Sequence, residues 1–389
     1  MIETSDRVAG TVPAPRRAPL TVGVEEEFLL AEPASGRSTA RASDVLGAAG
    51  PHPWETSGAA YHRELLDNQV EAVTGVCTRL PDLARQLAAA RTALDRAARA
   101  HGLVAVGTGT AVLPGPVRVP AGNARFAEIS RRYAGIADDY QVSGCHVHVG
   151  VPGPDTAVAV VNHLRPWLPT LLAASANSPF DRGRDTGHAS WRMVEQARFP
   201  TSGVPPWFGS AAEYDRALAR LVDCGVLVDR AMTFWLARPS PRLPTVEVRV
   251  ADAAASAADA LVQAALTRAL VRTALDDLDR GREAPRVDPD VCAAALWTAA
   301  RYGLAGPGVD PVAERRVPAA GLLAALLARV APALEEAGEL AAVTVLIAAL
   351  RGGGTGAERQ RRAASGGPPA IIAALAAQTT AVPPILEDP

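Results

Sequence analysis

Thr21-Val-Gly-Val-Glu-Glu-Glu-Phe-Leu-Leu30 places three consecutive glutamates inside an otherwise apolar stretch. Read as a strand, its side chains alternate between two faces. Val22, Val24, Glu26, Phe28 and Leu30 share one face, and Gly23, Glu25, Glu27 and Leu29 share the other. Glu25 and Glu27 then project side by side, roughly 6–7 Å apart at their backbones. Two such carboxylates repel one another and lose solvation unless a cation or a proton compensates. Two readings follow: a sheet-borne metal site, favoured by the flanking apolar residues, and a solvated acidic face of an antiparallel sheet.

The rest of the chain narrows the choice. Its 389 residues suffice for one large domain or two ordinary ones, and 48% hydrophobic content supports a sizeable core and excludes global disorder. A formal net charge of −2 leaves no basic excess for phosphate backbones, so a nucleic-acid partner is not expected. Cys77, Cys145, Cys224 and Cys292 are widely spaced with no CxxC pair, and read as reduced thiols of a cytoplasmic protein. The first twenty residues lack the apolar core of a signal peptide, and the strongest apolar run, Leu340 to Leu350, falls short of the ~20 residues a membrane span needs. No membrane association is expected. A homo-oligomer is left open.

Taken in order, residues 1–19 read as a mobile, Pro/Arg-containing tail and 20–389 as a single catalytic domain, sheet-rich over 20–252 and helical over 253–380. Glu32-Pro-Ala-Ser-Gly36 is a turn, followed by a short segment able to return antiparallel. Residues 61–75 read as a second sheet segment. On one unbroken strand Glu64 and Glu71 would lie on opposite faces, and a bulge or a helical turn would bring them together. A helix follows over Pro81–Gly102, then a buried strand at Leu103–Gly107, a Pro/Gly loop at 113–122 and a helix near Arg125–Asp139. Gln141-Val-Ser-Gly-Cys-His-Val-His-Val-Gly-Val151 is another alternating strand, and Asp155–Ser178 a helix interrupted near Pro166 and Pro169. Residues 179–209 form a polar loop, 211–224 a helix, and Pro244-Thr-Val-Glu-Val-Arg-Val-Ala-Asp252 a third strand. Helices are expected near 255–280, 287–302, 319–337, 338–351 and 356–380.

Three strands thus bring ionisable groups to one face: Glu25 with Glu27, His146 with His148, and Glu247 with Arg249. Carboxylates with one histidine suit a hard cation such as Mg²⁺ or Mn²⁺. The His146/His148 spacing leaves zinc as the second metal reading, without an HExxH helix to support it. No GxxxxGK[ST] loop, GxGxxG fingerprint or GxSxG elbow occurs, and Gly352-Gly-Gly-Thr-Gly356 lacks the lysine and the preceding strand of a phosphate loop.

Gly23-Val-Glu-Glu-Glu-Phe, Gln69-Val-Glu-Ala-Val-Thr-Gly, Ser143-Gly-Cys-His-Val-His-Val-Gly, Ser175-Ala-Asn-Ser-Pro, Asp185-Thr-Gly and Pro244-Thr-Val-Glu-Val-Arg closely resemble the type 2 glutamate–cysteine ligase family, bacterial carboxylate–amine ligases related to glutamine synthetase. The resemblance runs from about Leu20 to about residue 362. It implies an α+β fold with a curved, mainly antiparallel sheet, helices outside and a helical C-terminal region. It also implies a C–N ligase that uses ATP and Mg²⁺ (or Mn²⁺) to join a carboxylate such as that of glutamate to an amine such as cysteine. Residue by residue, Glu25, Glu27, Glu64, Glu71, His146 and Glu247 match the positions that hold metal, and Arg249 matches an arginine that stabilises phosphate charge. Arg192, in the polar loop, is expected to meet phosphate oxygens as well. Asp181-Arg-Gly and His188 depart from the family's bulkier or aromatic residues, in the loop expected to recognise substrate. The competing function is a metal-dependent hydrolase, or a non-catalytic relative that keeps the fold. ADP release from ATP, or its absence, separates these from a ligase.

Overall fold

In the computed structural model, which describes residues 18–386 with residue 121 excepted, Val22–Ala31 forms strand β1 inside a seven-stranded sheet. Its neighbours in sequence order are β2 (Ala60–Arg63), β3 (Gln69–Val73), β4 (Val104–Val106) and β5 (Gly144–Gly150). A small separate hairpin, β6 (Phe180–Asp181) with β7 (Arg184–Asp185), precedes β8 (Ala237–Pro239) and β9 (Thr245–Asp252). The sheet runs β2-β3-β1-β5-β9-β8, with β4 pairing the far end of β1, and every pairing is antiparallel.

The expected alternation on β1 is present. Val22 and Val24 join Val147, Val149, Val246 and Val248 in the main core, against helices Pro154–Leu164, Leu168–Ser175 and Ala257–Asp279. Each fully buried leucine in that layer contributes about 1.5–3 kcal/mol. Helix Leu80–Arg99 lies along the same side; Leu83, Leu87, Ala90 and Leu94 form its buried stripe, and Pro81 occupies its first turn, where a missing N–H costs nothing. On the other face, at one end, Leu29 and Ala31 pack with Val104, Val106, Ile371, Ile372 and Leu375. Between that plug and the β8 edge the polar face of the sheet carries the ionisable groups.

Several local expectations change. Residues 61–75 are neither one strand nor a bulged one: β2 and β3 form a hairpin, with His62 opposite Glu71. Chain reversal over 64–68 therefore returns Glu64 to the face of Glu71, two residues on from His62. The segment after the turn at 32–36 makes isolated bridges, Ser38 to Ala31 and Arg37 to Leu113, and then enters helix Ala42–Ala49. Polar loop 179–209 contains helix Trp191–Gln196, capped by the Ser190 hydroxyl. The last expected helix is two, Gly356–Ala363 and Gly367–Thr379, because Gly366-Gly-Pro-Pro369 breaks it and Gly367 adopts φ +72°. A hairpin, β10 (Pro307–Asp310) with β11 (Arg315–Pro318), interrupts the helical region. Most of the expected tail, residues 1–17, lies outside the described residues. The run Leu340–Leu386 contains an 18-residue stretch apolar enough for a membrane span by composition. It is not one helix, since Leu340–Gly353 ends before Gly356–Ala363 begins, and Val343, Leu346, Ile347 and Leu350 are buried in the core.

Candidate active site

Sheet register lines up the charged residues across five strands and the β2–β3 connection. Glu27 lies opposite Glu71, Glu25 opposite His146, His148 opposite Glu247, and Glu247 opposite Arg238. Opposed residues share a face, so the row is a direct product of period-two alternation on every strand. Two groups form along it. Ligand atoms of Glu27, Glu64 and Glu71 lie within 4.8 Å of one another, and so do those of Glu25, His148 and Glu247.

The first group holds three carboxylates with no cationic side chain among them. Burial, followed by the charge of Glu27, pushes Glu64 up to about 8, and burial with Glu64, Glu25 and Glu27 raises Glu71 well above the usual carboxylate range. Glu27 has one fixed partner, the Gly144 amide, which donates to its Oε2 at 2.6 Å. Glu25 behaves in the opposite way. Burial would raise it, but His146 Nδ1 stands 3.3 Å from its Oε2 and His148 Nε2 3.2 Å from its Oε1, and together they hold it well below the ordinary range. His148 Nδ1 lies 3.0 Å from the Thr245 hydroxyl, which orients the ring. His146 also approaches Glu27, with Nε2 3.8 Å from Oε1.

Glu247 is gripped by two arginines. Arg238 approaches it with Nε at 2.9 Å and Nη2 at 3.3 Å, and Arg249 pairs with its Oε1. Burial opposes the charge on Glu247, yet Arg249 and Arg238 keep it far below the ordinary carboxylate range. Burial likewise opposes the charge on Arg249, and the Glu247, Glu25 and Glu27 carboxylates outweigh it and raise its pKa. This donor set fits a hard divalent cation: mostly carboxylate oxygens, partly desolvated, with Glu27, Glu64 and Glu71 crowded closely enough to repel one another.

The structure brings Glu25, Glu27, Glu64, Glu71, His146, Glu247 and Arg249 together. Arg192 lies apart from the row's open side: it is buried, and its guanidinium donates to the Arg249 and Val250 carbonyls at 3.1 and 3.4 Å. Sequence reasoning took one histidine as ligand and passed over His148, although its place two residues along the same strand was visible. Arg238 gave no signal, because β8 is three residues long. Of the two departures in the polar loop, Asp181 lines a cavity of about 340 Å³ with Thr110, Asp139, Gln141, Arg182 and Glu195. His188 packs edge-on against Trp191, with ring centroids 5.3 Å apart.

The model of glutamate–cysteine ligase family 2 matches residues 21–374. The chain belongs to this family. A relative from Saccharopolyspora erythraea bearing the name "Putative glutamate–cysteine ligase 2-2" is 58% identical over 338 residues, covering 87% of this chain and 86% of the relative. Another from Salinispora arenicola, "Putative glutamate–cysteine ligase 2", is 43% identical over 340 residues, covering 87% and 88%. Among solved structures, the glutamate–cysteine ligase of Francisella tularensis in complex with AMP superposes with a TM-score of 0.65 at 15% identity, over 95% of this chain and 91% of that one. A bifunctional glutathione synthetase from Pasteurella multocida gives 0.68 at 16%, over 93% of this chain and 52% of the other. At such identities the two structures establish the fold that family 2 shares with them: an antiparallel sheet with helices packed on it.

Proposed function

We propose that this chain joins the γ-carboxylate of glutamate to the amino group of cysteine or a related amine, with ATP as the second substrate and Mg²⁺ or Mn²⁺ as cofactor. Membership of glutamate–cysteine ligase family 2 supports an ATP-dependent carboxylate–amine ligase. The observation that carries the reading is the Glu27–Glu64–Glu71 group, three carboxylates with no cationic side chain among them, with the partly buried Arg249 two strands from Glu27. A carboxylate is a poor electrophile. Its oxygen attacks the γ-phosphorus of ATP, ADP leaves, and the resulting acyl phosphate is attacked by the amine nitrogen; phosphate departs and the nitrogen gives up its proton. Divalent ions, if held by these carboxylates, would neutralise phosphate charge during the transfer.

The residues proposed to hold these ions are Glu27, Glu64 and Glu71 in one group and Glu25, His148 and Glu247 in the other, with His146 between Glu25 and Glu27. Arg249 is the residue proposed to meet charge developing on the transferred phosphate; it pairs with Glu247, which Arg238 also holds. The four cysteines are unpaired, in keeping with a cytoplasmic setting.

The decisive experiment is ADP release from MgATP with glutamate and a panel of amines. Glutamate-dependent ADP release raised further by one amine, with a stoichiometric amide product, is expected; ATP hydrolysis indifferent to both amine and carboxylate would defeat the proposal. Elemental analysis is expected to find no stoichiometric zinc. One tightly held zinc per chain, with activity surviving removal of free Mg²⁺, points instead to the hydrolase reading.

A further inference from the structure

β9 does not run straight past β5. Cys145 stands opposite Ala251 and Val147 opposite Val248, so His146 alone faces two residues, Arg249 and Val250. This is a β-bulge, and it has two consequences. Val250 and Ala251, adjacent in sequence, both turn into the main core, and Asp252 emerges opposite Gly144 on the face of the site. On an unbroken strand Asp252 would share the core face of Val250. The second consequence is local: the carbonyls of the two bulged residues are met by one guanidinium. Arg192 Nη2 donates to the Arg249 carbonyl at 3.1 Å and Nη1 to the Val250 carbonyl at 3.4 Å, with Nη1 also 3.8 Å from Asp252 Oδ1.

Asp252 is fully buried and held from three sides. Its Oδ2 accepts from the Asn177 amide at 2.8 Å and the Ser178 hydroxyl at 2.7 Å, and its Oδ1 from the Ser190 hydroxyl at 2.8 Å. Ser190 caps the short helix that carries Arg192, and the Ser178 hydroxyl also accepts from the Arg192 amide at 3.1 Å. One carboxylate thus fixes the loop, the helix start and the guanidinium together. The guanidinium needs room to pass Gly144, where a Cβ would lie 2.6 Å from Arg192 Nη2 and 3.0 Å from His146 Nε2.

We propose that Arg192, locked by Asp252, is a positioning residue: it braces the Arg249–Val250 bulge and so sets the Arg249 guanidinium against Glu247. Both of its terminal nitrogens donate to backbone carbonyls, and this bracing role is proposed in place of the phosphate contact expected from sequence. The inference rests on the ligase reading for its kinetic readout and on geometry alone for its structural one.

If Arg192 acts only through Arg249, the two losses do not multiply. Arg192→Met is expected to lower kcat about tenfold and to weaken MgATP binding, and adding it to Arg249→Met is expected to cost less than a further twofold. Independent losses, each at full size in the double variant, overturn the proposal, as does a lowered Tm with unchanged kcat. Ser190→Ala, which removes one of the three hydrogen bonds to Asp252, serves where the methionine variant does not fold; a two- to threefold fall in kcat that vanishes in the Arg249→Met background is expected, and a fall that persists there overturns the proposal. Crystal structures of these variants test the geometry without turnover. A relaxed bulge or an Arg249 displaced from Glu247 supports the inference, and an unmoved bulge and ion pair refute it. A wild-type protein that releases no ADP with any amine defeats the ligase reading and leaves this structural comparison to decide the role of Arg192.

Discussion

Glu26 and its two neighbours are the same residue type on one strand, yet they meet opposite treatments. On the core face, Glu26 is 2% exposed and receives Arg91 Nε at 3.0 Å and Nη2 at 2.6 Å. The remaining donors of Arg91, itself fully buried, go to the carbonyls of Ala254, Ala255 and Thr379. On the other face Glu27 joins Glu64 and Glu71 with no cationic side chain among the three. A buried carboxylate paired with a guanidinium whose every N–H is matched belongs to the fold; carboxylates crowded together with no cation among them suit a ligand that supplies one. One residue of strand register separates the two.

The largest effect is expected from breaking the satisfied side. Arg91→Met leaves Glu26 buried and unpaired, and urea unfolding should show about 3–5 kcal/mol of lost stability, with near-normal turnover in whatever remains folded. Converting both partners, Glu26→Leu with Arg91→Met, should recover most of that loss; a double variant as unstable as the single one would mean that the pair is not what costs the energy. Next comes Glu27→Gln. Ligation should fall about 10²–10³-fold while the melting temperature without metal stays level or rises, because a repulsive charge has been removed. An active Glu27→Gln enzyme that still gains stability from MgATP as the wild type does would erase the contrast between the two faces.

Smaller effects sharpen it. Arg249→Lys keeps the charge and loses the planar fork, so the KM for ATP or kcat should worsen by about tenfold; kinetics near wild type would remove the phosphate role. Asp277 is an intermediate case, a buried carboxylate whose arginine partners are half in water. Burial acts to raise its pKa, but Arg282, with Nε at 3.0 Å, and then Arg329 and His163 bring it below the ordinary aspartate value. The stability this supplies is present above the unfolded pKa near 3.8 and is lost as pH falls through the lower folded value. Asp277→Asn should therefore flatten that acid limb by on the order of 1 kcal/mol in melts run from pH 5 downward. An unchanged limb assigns the acid sensitivity to other carboxylates.

Period-two alternation explains why Glu25, Glu27, His146 and Glu247 could be placed on one face from sequence alone. The same rule failed wherever the chain departed from a straight strand. Glu64 reached the row through a hairpin whose turn, over Leu65–Asn68, contains no glycine to announce it. Asp252 changed faces because of a bulge that lies among ordinary valines and leaves no mark in the sequence. The Glu26–Arg91 pair was illegible for another reason: its partner sits 65 residues away, on a helix whose apolar stripe was the visible feature. His148 was legible and passed over, since alternation places it beside His146 without saying which ring faces Glu247.

The plug over the far end of β1 has a consequence in time. Leu29 packs against Ile371, Ile372 and Leu375, and Arg91 is completed by the carbonyl of Thr379, 288 residues further along the chain. Synthesis at about 5–20 residues per second delivers that last helix on the order of tens of seconds after β1. Throughout that interval the strand is an apolar segment waiting for its cover, the kind that pairs with other nascent chains. Glu25, Glu26 and Glu27 then serve as one block of negative charge, before two of them become a site and the third becomes part of the core. The run that later divides between two faces first protects the strand while neither face is yet occupied.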